Sequence, residues 1–118
     1  MNKREAVLRL LSGEGAPTLI PAAFFLHFDR AYHLGQAAID RQIEFFRATG
    51  MDLVKIQCEQ RIEPSIHGPE DWKHIRPQPE QFFEPTVRVV AGLVRAARHE
   101  ALVILTLYSP FMWMVRIA

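Results

Sequence analysis

Two rhythms of apolar and polar positions run along this chain, and the switches between them mark its elements. Val7, Leu10 and Leu11 recur at helical spacing behind Asn2 and Glu5, which stand three apart as in a capping box. Ser12 and Gly13 close that short helix, and Gly15 to Pro17 make a turn. Residues 19–26, LIPAAFFL, form a continuous apolar run of strand length, the pattern of a strand covered on both faces. Pro21 departs from that pattern, because it cannot donate a ladder hydrogen bond and suits a strand start or edge. Helical spacing resumes with Ile39, Ile43 and Phe46 over residues 36–49 and stops at Gly50, which can take the left-handed conformation of a helix end.

Leu53, Val54 and Ile56 then supply β-compatible bulk, predicting a second strand over residues 52–57. Residues 62–79 carry four prolines and one glycine without a steady period and read as an irregular excursion. Phe83, Val87, Val90, Val94 and Ala97 step by four and three, a helix stripe that predicts a helix over 86–99 with Pro85 at its start. Arg88, Arg95 and Arg98 fall off the stripe and form a solvated face. Residues 102–107 give a third strand, closed by Tyr108, Ser109 and Pro110.

The order helix, β, α, β, α, β predicts an α/β fold. Its three strands should be adjacent and parallel in the order one, two, three, with right-handed crossovers and the two later helices on one face. In such folds the chemistry gathers at the carboxyl ends of the strands, where the strand-to-helix loops meet.

At 118 residues the chain makes one modest domain, 1–118, with the hydrophobic fraction of 49% and charged fraction of 23% usual for a soluble globular protein. A net charge of +1 gives no electrostatic reason to expect nucleic acid or an anionic membrane as partner. The single cysteine, Cys58, cannot form an internal disulfide, which fits a reducing, cytoplasmic location. The charged N-terminus does not suit a secretory signal. Residues 101–115 are strongly apolar but fall short of the roughly 20 residues that span a bilayer, and Ser109 and Pro110 interrupt them. They read as a buried strand followed by the start of a helix, so the sequence looks cut before its next helix is complete. There is no GxGxxG, Walker loop, CxxC or HExxH. HFDRAYHLG stands where a Rossmann domain needs its glycine-rich turn, which speaks against a dinucleotide site.

Three strand ends converge in this reading. The first offers His27, Asp29, Arg30, Tyr32 and His33, the second Cys58, Glu59 and Arg61, the third Tyr108 and Ser109. Arg30 can bind a substrate carboxylate through its planar fork, and Glu59 can accept hydrogen bonds from substrate N–H groups or stabilise a nearby cation. Equally, Arg30 can pair with Asp29 or Glu59 in a structural salt bridge, and the polar run after the second strand can be a solvated loop. His27, Cys58 and Glu59 are zinc ligands by type, but no short-range spacing supports a metal site, and Cys58 also suits a small buried position. His67 and His74 read as surface groups, and Trp72 as a packing anchor for its loop.

NKREAVLRLLSGE, a strand starting at IPAAF, GMDLVKIQCE and LYSPF follow one another in an order and spacing that resemble the uroporphyrinogen decarboxylase family, which includes corrinoid-linked methyltransferases. The resemblance covers nearly the whole chain and about the first third of a family member. It implies the N-terminal fragment of a (β/α)8 TIM barrel, with strands one to three and an active site at their carboxyl ends. It implies a decarboxylase (lyase) of a tetrapyrrole or related carboxylated substrate in porphyrin biosynthesis, working without a cofactor. In the family's Arg-x-x-x-Arg segment the second arginine matches Arg30, while Leu26 stands in place of the first. Glu59 stands where the family has a catalytic aspartate, and His27 and Tyr108 fall on the same rim as substrate-binding positions. The departures at Leu26 and Glu59 keep a second branch open, a zinc-dependent methyltransferase partnered by a corrinoid protein, with its ligands mostly outside this chain. A third possibility is an inactive truncated chain. A three-stranded piece also exposes sheet edges and apolar groups such as Leu107, Phe111 and Trp113, which predicts self-association, as a homodimer or larger, and weak catalysis by the chain alone.

Overall fold

A computed structural model describes residues 2–14, 19–57, 59–60, 66–109 and 112. Helix α1 (Lys3–Leu11) begins as its sequence dictates: the Asn2 side chain accepts a hydrogen bond from the Glu5 N–H at 2.9 Å, and the Glu5 carboxylate accepts one from the Asn2 N–H. Helix α2 (Gly35–Thr49) ends at Gly50, whose φ of +67° is the left-handed geometry expected there. Strand β1 (Leu53–Gln57) follows at once, and helix α3 (Glu84–Ala96) then leads to strand β2 (Leu102–Thr106). Pro85 lies in the first turn of α3, where its missing N–H costs nothing.

β1 and β2 pair in parallel, in register from Leu53 opposite Leu102 to Gln57 opposite Thr106. Alternation along each strand sends Val54 and Ile56, with Val103 and Leu105, toward the helices. There they meet Ala38, Ile43 and Phe46 of α2 and Val89 and Leu93 of α3 in one core. The other face, carrying Leu53, Lys55, Gln57, Leu102, Ile104 and Thr106, has no helix on it among the described residues. α1 closes the amino end of the sheet. The Lys3 ammonium donates to the carbonyls of Gly50 and Met51, just ahead of β1, and the Arg4 N–H donates to Glu100, just ahead of β2. Glu100 is also gripped by both arms of the Arg47 fork.

Two expectations need correction. Residues 19–26 are not a strand, and the sheet among the described residues has two strands, not three. The segment runs beside the residues that lead into β1, but its donors find other acceptors. The Ala22 N–H goes to the Asp52 carboxylate, the Phe24 N–H to the Met51 sulfur, and Pro21 has none to give. Among the described residues a single backbone bond returns, from Asp52 N–H to Ala22 carbonyl, which is too little for a ladder.

The second correction is the face of α3. Its buried residues are Thr86, Val89, Gly92 and Leu93, with Ala97 just beyond, whereas Phe83, Val87 and Val94 are exposed. Both stripes have helical spacing. Gly92 selects between them, because it sits hard against Ile39 of α2 and must face that helix.

Within residues 62–79, expected to be irregular, a short helical turn forms at Pro69–His74, and a second, Glu80–Phe83, follows just before α3. His67 and His74 are exposed as expected, but so is Trp72, which is no buried anchor. Leu107 is 78% exposed, while Phe111, Trp113, Cys58 and Arg61 lie outside the described residues. Among the described residues no helix is long and apolar enough to cross a membrane.

Candidate functional site

The carboxyl end of β1 is a hub in which successive residues reach different neighbours. Gln57, buried at the last strand position, accepts a hydrogen bond from the Tyr108 hydroxyl beyond β2 at 2.7 Å. Glu59 accepts one from Nδ1 of His27, beyond the extended segment, at 2.6 Å. Gln60 accepts from the Thr86 hydroxyl at 2.9 Å and donates to the Phe82 carbonyl, fixing the start of α3. The pairs tie together three loops that the sequence separates by up to 51 positions.

His27 and Glu59 form a hydrogen-bonded pair at this end of the sheet. The side chain of Glu59 is 14% exposed and that of His27 is 55% exposed, so the carboxylate is held inside and the imidazole reaches outward. A carboxylate oxygen on Nδ1 fixes the proton there and leaves Nε2 as the nitrogen that meets a ligand. The Phe25 ring stands edge-on to the imidazole, 5.5 Å between centroids, and limits its rotation.

These groups open on a cavity of about 480 Å³ on the uncovered face of the sheet, lined by Phe25, His27, Lys55, Gln57, Thr106 and Tyr108, with Met112 at its edge. Of the residues singled out from sequence, His27 and Tyr108 line this cavity and Glu59 touches it through His27. Arg30 does not line it. It lies on the turn Arg30–Tyr32, exposed, and among the described residues it forms no ion pair. Its two expected salt-bridge partners are engaged elsewhere: Asp29 caps that turn by accepting from the Ala31 N–H, and Glu59 holds His27. His33, on the same loop, donates through Nε2 to the Phe28 carbonyl and stabilises the turn.

Lys55 and Gln57 were missed as site residues. The signal was present in the alternation of β1: with Val54 and Ile56 facing the helices, positions 55 and 57 must face the other way. Thr106 follows by register with Gln57. Among the described residues no group of three or more His, Cys, Asp or Glu side chains is placed to hold a metal ion.

The carboxylates with displaced pKa values belong to the framework. Glu100 is held below the ordinary carboxylate range by the hydrogen bond and charge of Arg47, at the amino end of the sheet. Asp71 is lowered by the hydrogen bond from the His67 N–H, reinforced by that of Gly68, where it caps the turn Pro69–His74. Compared with protein-family models, curated proteins and solved structures, the chain finds no significant match.

Proposed function

We propose that this chain is the amino-terminal part of a uroporphyrinogen decarboxylase-like (β/α)8 barrel, and that its uncovered sheet face lines the substrate cavity of a carboxy-lyase. Two features support the barrel: parallel strands joined through a helix and, among the described residues, helices packed on one face of the sheet. The observation that carries the chemistry is the His27–Glu59 pair at the carboxyl end of β1, facing that cavity. Loss of CO2 from an acetate arm on an electron-rich ring begins with protonation of a ring carbon, which places positive charge on the ring. The bond to the carboxylate carbon then breaks and CO2 leaves, its electron pair forming an exocyclic double bond that neutralises that charge; the arm carbon takes up a proton, and the ring carbon gives up the proton it had gained, which restores the ring. Glu59 supplies a fixed negative charge near the developing cation, and His27 holds or moves a proton at Nε2. Tyr108 lines the same cavity and positions substrate there, while Arg30, exposed on its turn and outside the lining, meets a carboxylate that projects beyond the cavity.

Kinetics on the polypeptide carrying a complete barrel test this reading, with products of anaerobic uroporphyrinogen incubation separated by their number of carboxylates. Glu59→Gln is expected to lower kcat by about 10²–10³-fold while KM changes little. Arg30→Ala is expected to raise KM first. Wild-type turnover in Glu59→Gln, at unchanged KM, would remove Glu59 from the mechanism.

A further inference from the structure

We infer that the uncovered face of the sheet carries an oxyanion site centred on Lys55, built for the carboxylate of a small molecule with a flat apolar body. Lys55 is a charged residue in the middle of a parallel strand, half-buried and directed away from the core. Its ammonium lies 4.9 Å from the centre of the Phe25 ring, which orients the cation without neutralising it. Among the described residues no carboxylate pairs with it, and none lines its cavity; the nearby Glu59 is turned to His27.

The other groups around the cavity are hydrogen-bond donors, or become so. The Gln57 carbonyl oxygen is taken by Tyr108, which leaves the amide N–H groups for a ligand. Thr106 pairs with Gln57 in the parallel register and lines the same cavity, so its hydroxyl is a second neutral donor on this face. A carboxylate between Lys55, Gln57 and Thr106 therefore meets one full charge and two neutral donors, a set suited to a single negative charge. A phosphate dianion would leave one charge uncompensated. Phe25 and Met112 form the apolar side that a ring of the same ligand can cover. This site does not rest on the decarboxylase reading. Within that reading it supplies the cation absent at Leu26.

The test uses the 118-residue chain labelled with 15N, titrated with phenylacetate, with 2-phenylethanol as the uncharged analogue and inorganic phosphate as the competing oxyanion. Phenylacetate is expected to move the amide signals of Lys55, Gln57 and Thr106 saturably, with weaker effects from the other two probes. Lys55→Met should weaken phenylacetate binding about tenfold and leave phenylethanol unchanged, and Lys55→Arg should recover most of the loss. Because Lys55 lies off the core, the Lys55→Met spectrum should keep the wild-type dispersion. Should that variant not fold, the side-chain ammonium signal of wild-type Lys55 serves instead, and it must shift with phenylacetate. Unchanged affinity in Lys55→Met, an unmoved ammonium signal, or phosphate binding more tightly than phenylacetate would each overturn the site. Phenylacetate binding lost in Lys55→Met, in a protein that does not decarboxylate uroporphyrinogen, would keep the site and discard the decarboxylase reading.

Discussion

Gly92 should be the position at which α3 cannot accept a methyl group, despite being a helical glycine that propensity alone would replace. Alanine at an interior helix position is favoured over glycine by about 0.8–1.0 kcal/mol. Here, however, an added Cβ would stand 2.2 Å from Cδ1 and 3.0 Å from Cγ1 of Ile39. Ordinary carbon contacts lie near 3.5–4.0 Å, so Ile39 must leave its rotamer or α2 and α3 must part, at about 1–3 kcal/mol. The steric cost outweighs the propensity gain, and Gly92→Ala should be destabilised by about 1 kcal/mol, or about 3–6 °C in Tm for a chain of this length. Ile39→Val removes Cδ1 and alone should cost about 0.5–1.5 kcal/mol. The double variant should then be more stable than the sum of the two predicts, by a coupling of about 1–2 kcal/mol. Urea unfolding of the four proteins at one chain concentration, followed by circular dichroism, measures this. A Gly92→Ala chain stabilised by the full propensity term, or strict additivity, would refute the close approach of α2 and α3.

Three further outcomes follow from the same contacts. Leu93 is completely buried between α3, α2 and β1, so Leu93→Ala should cost about 2–5 kcal/mol in the same unfolding assay. Tyr108→Phe removes the donor to the buried Gln57 carbonyl and should cost about 1–3 kcal/mol, while Gln57→Leu in the Tyr108→Phe background should recover part of it. Glu100 and Asp71 have folded pKa values below their unfolded ones, so the stability they lend is present above the unfolded carboxylate range and lost as pH falls through the folded values. Tm should therefore drop as pH is lowered below about 4, and Glu100→Gln should flatten part of that slope, by a small amount because the pair is exposed and screened.

What the sequence made legible was what local chemistry decides. The Asn2–Glu5 box and Gly50 set helix ends through groups a few residues apart, and both stand where expected. The β-rich runs of β1 and β2, separated by a helix, carried their parallel pairing. What failed depended on partners distant in sequence. An apolar run such as 19–26 shows a wish for burial and not the presence of a ladder, and Asp52 and Met51 capture the amide hydrogens that a ladder would use. On α3 two stripes share one period, and only the contact of Gly92 with Ile39 chooses between them. Of the residues singled out because they follow strand-like runs, His27 and Tyr108 line the cavity and Glu59 reaches it through His27. Lys55 was hidden inside such a run, and Arg30 was set aside from the cavity by a turn whose geometry the residue types do not specify.

The central claim is that the uncovered sheet face, at the carboxyl end of β1 and β2, is where a carboxylated ring compound binds. Titration of the 15N-labelled chain with uroporphyrin, the stable oxidised form of the proposed substrate, tests it most directly. The account predicts saturable shifts at His27, Lys55, Gln57, Glu59, Thr106 and Tyr108, with the outer groove of α2 around Gln36, Asp40 and Glu44 unmoved. Saturable shifts confined to that outer groove, or none on the sheet face at any concentration, would contradict it.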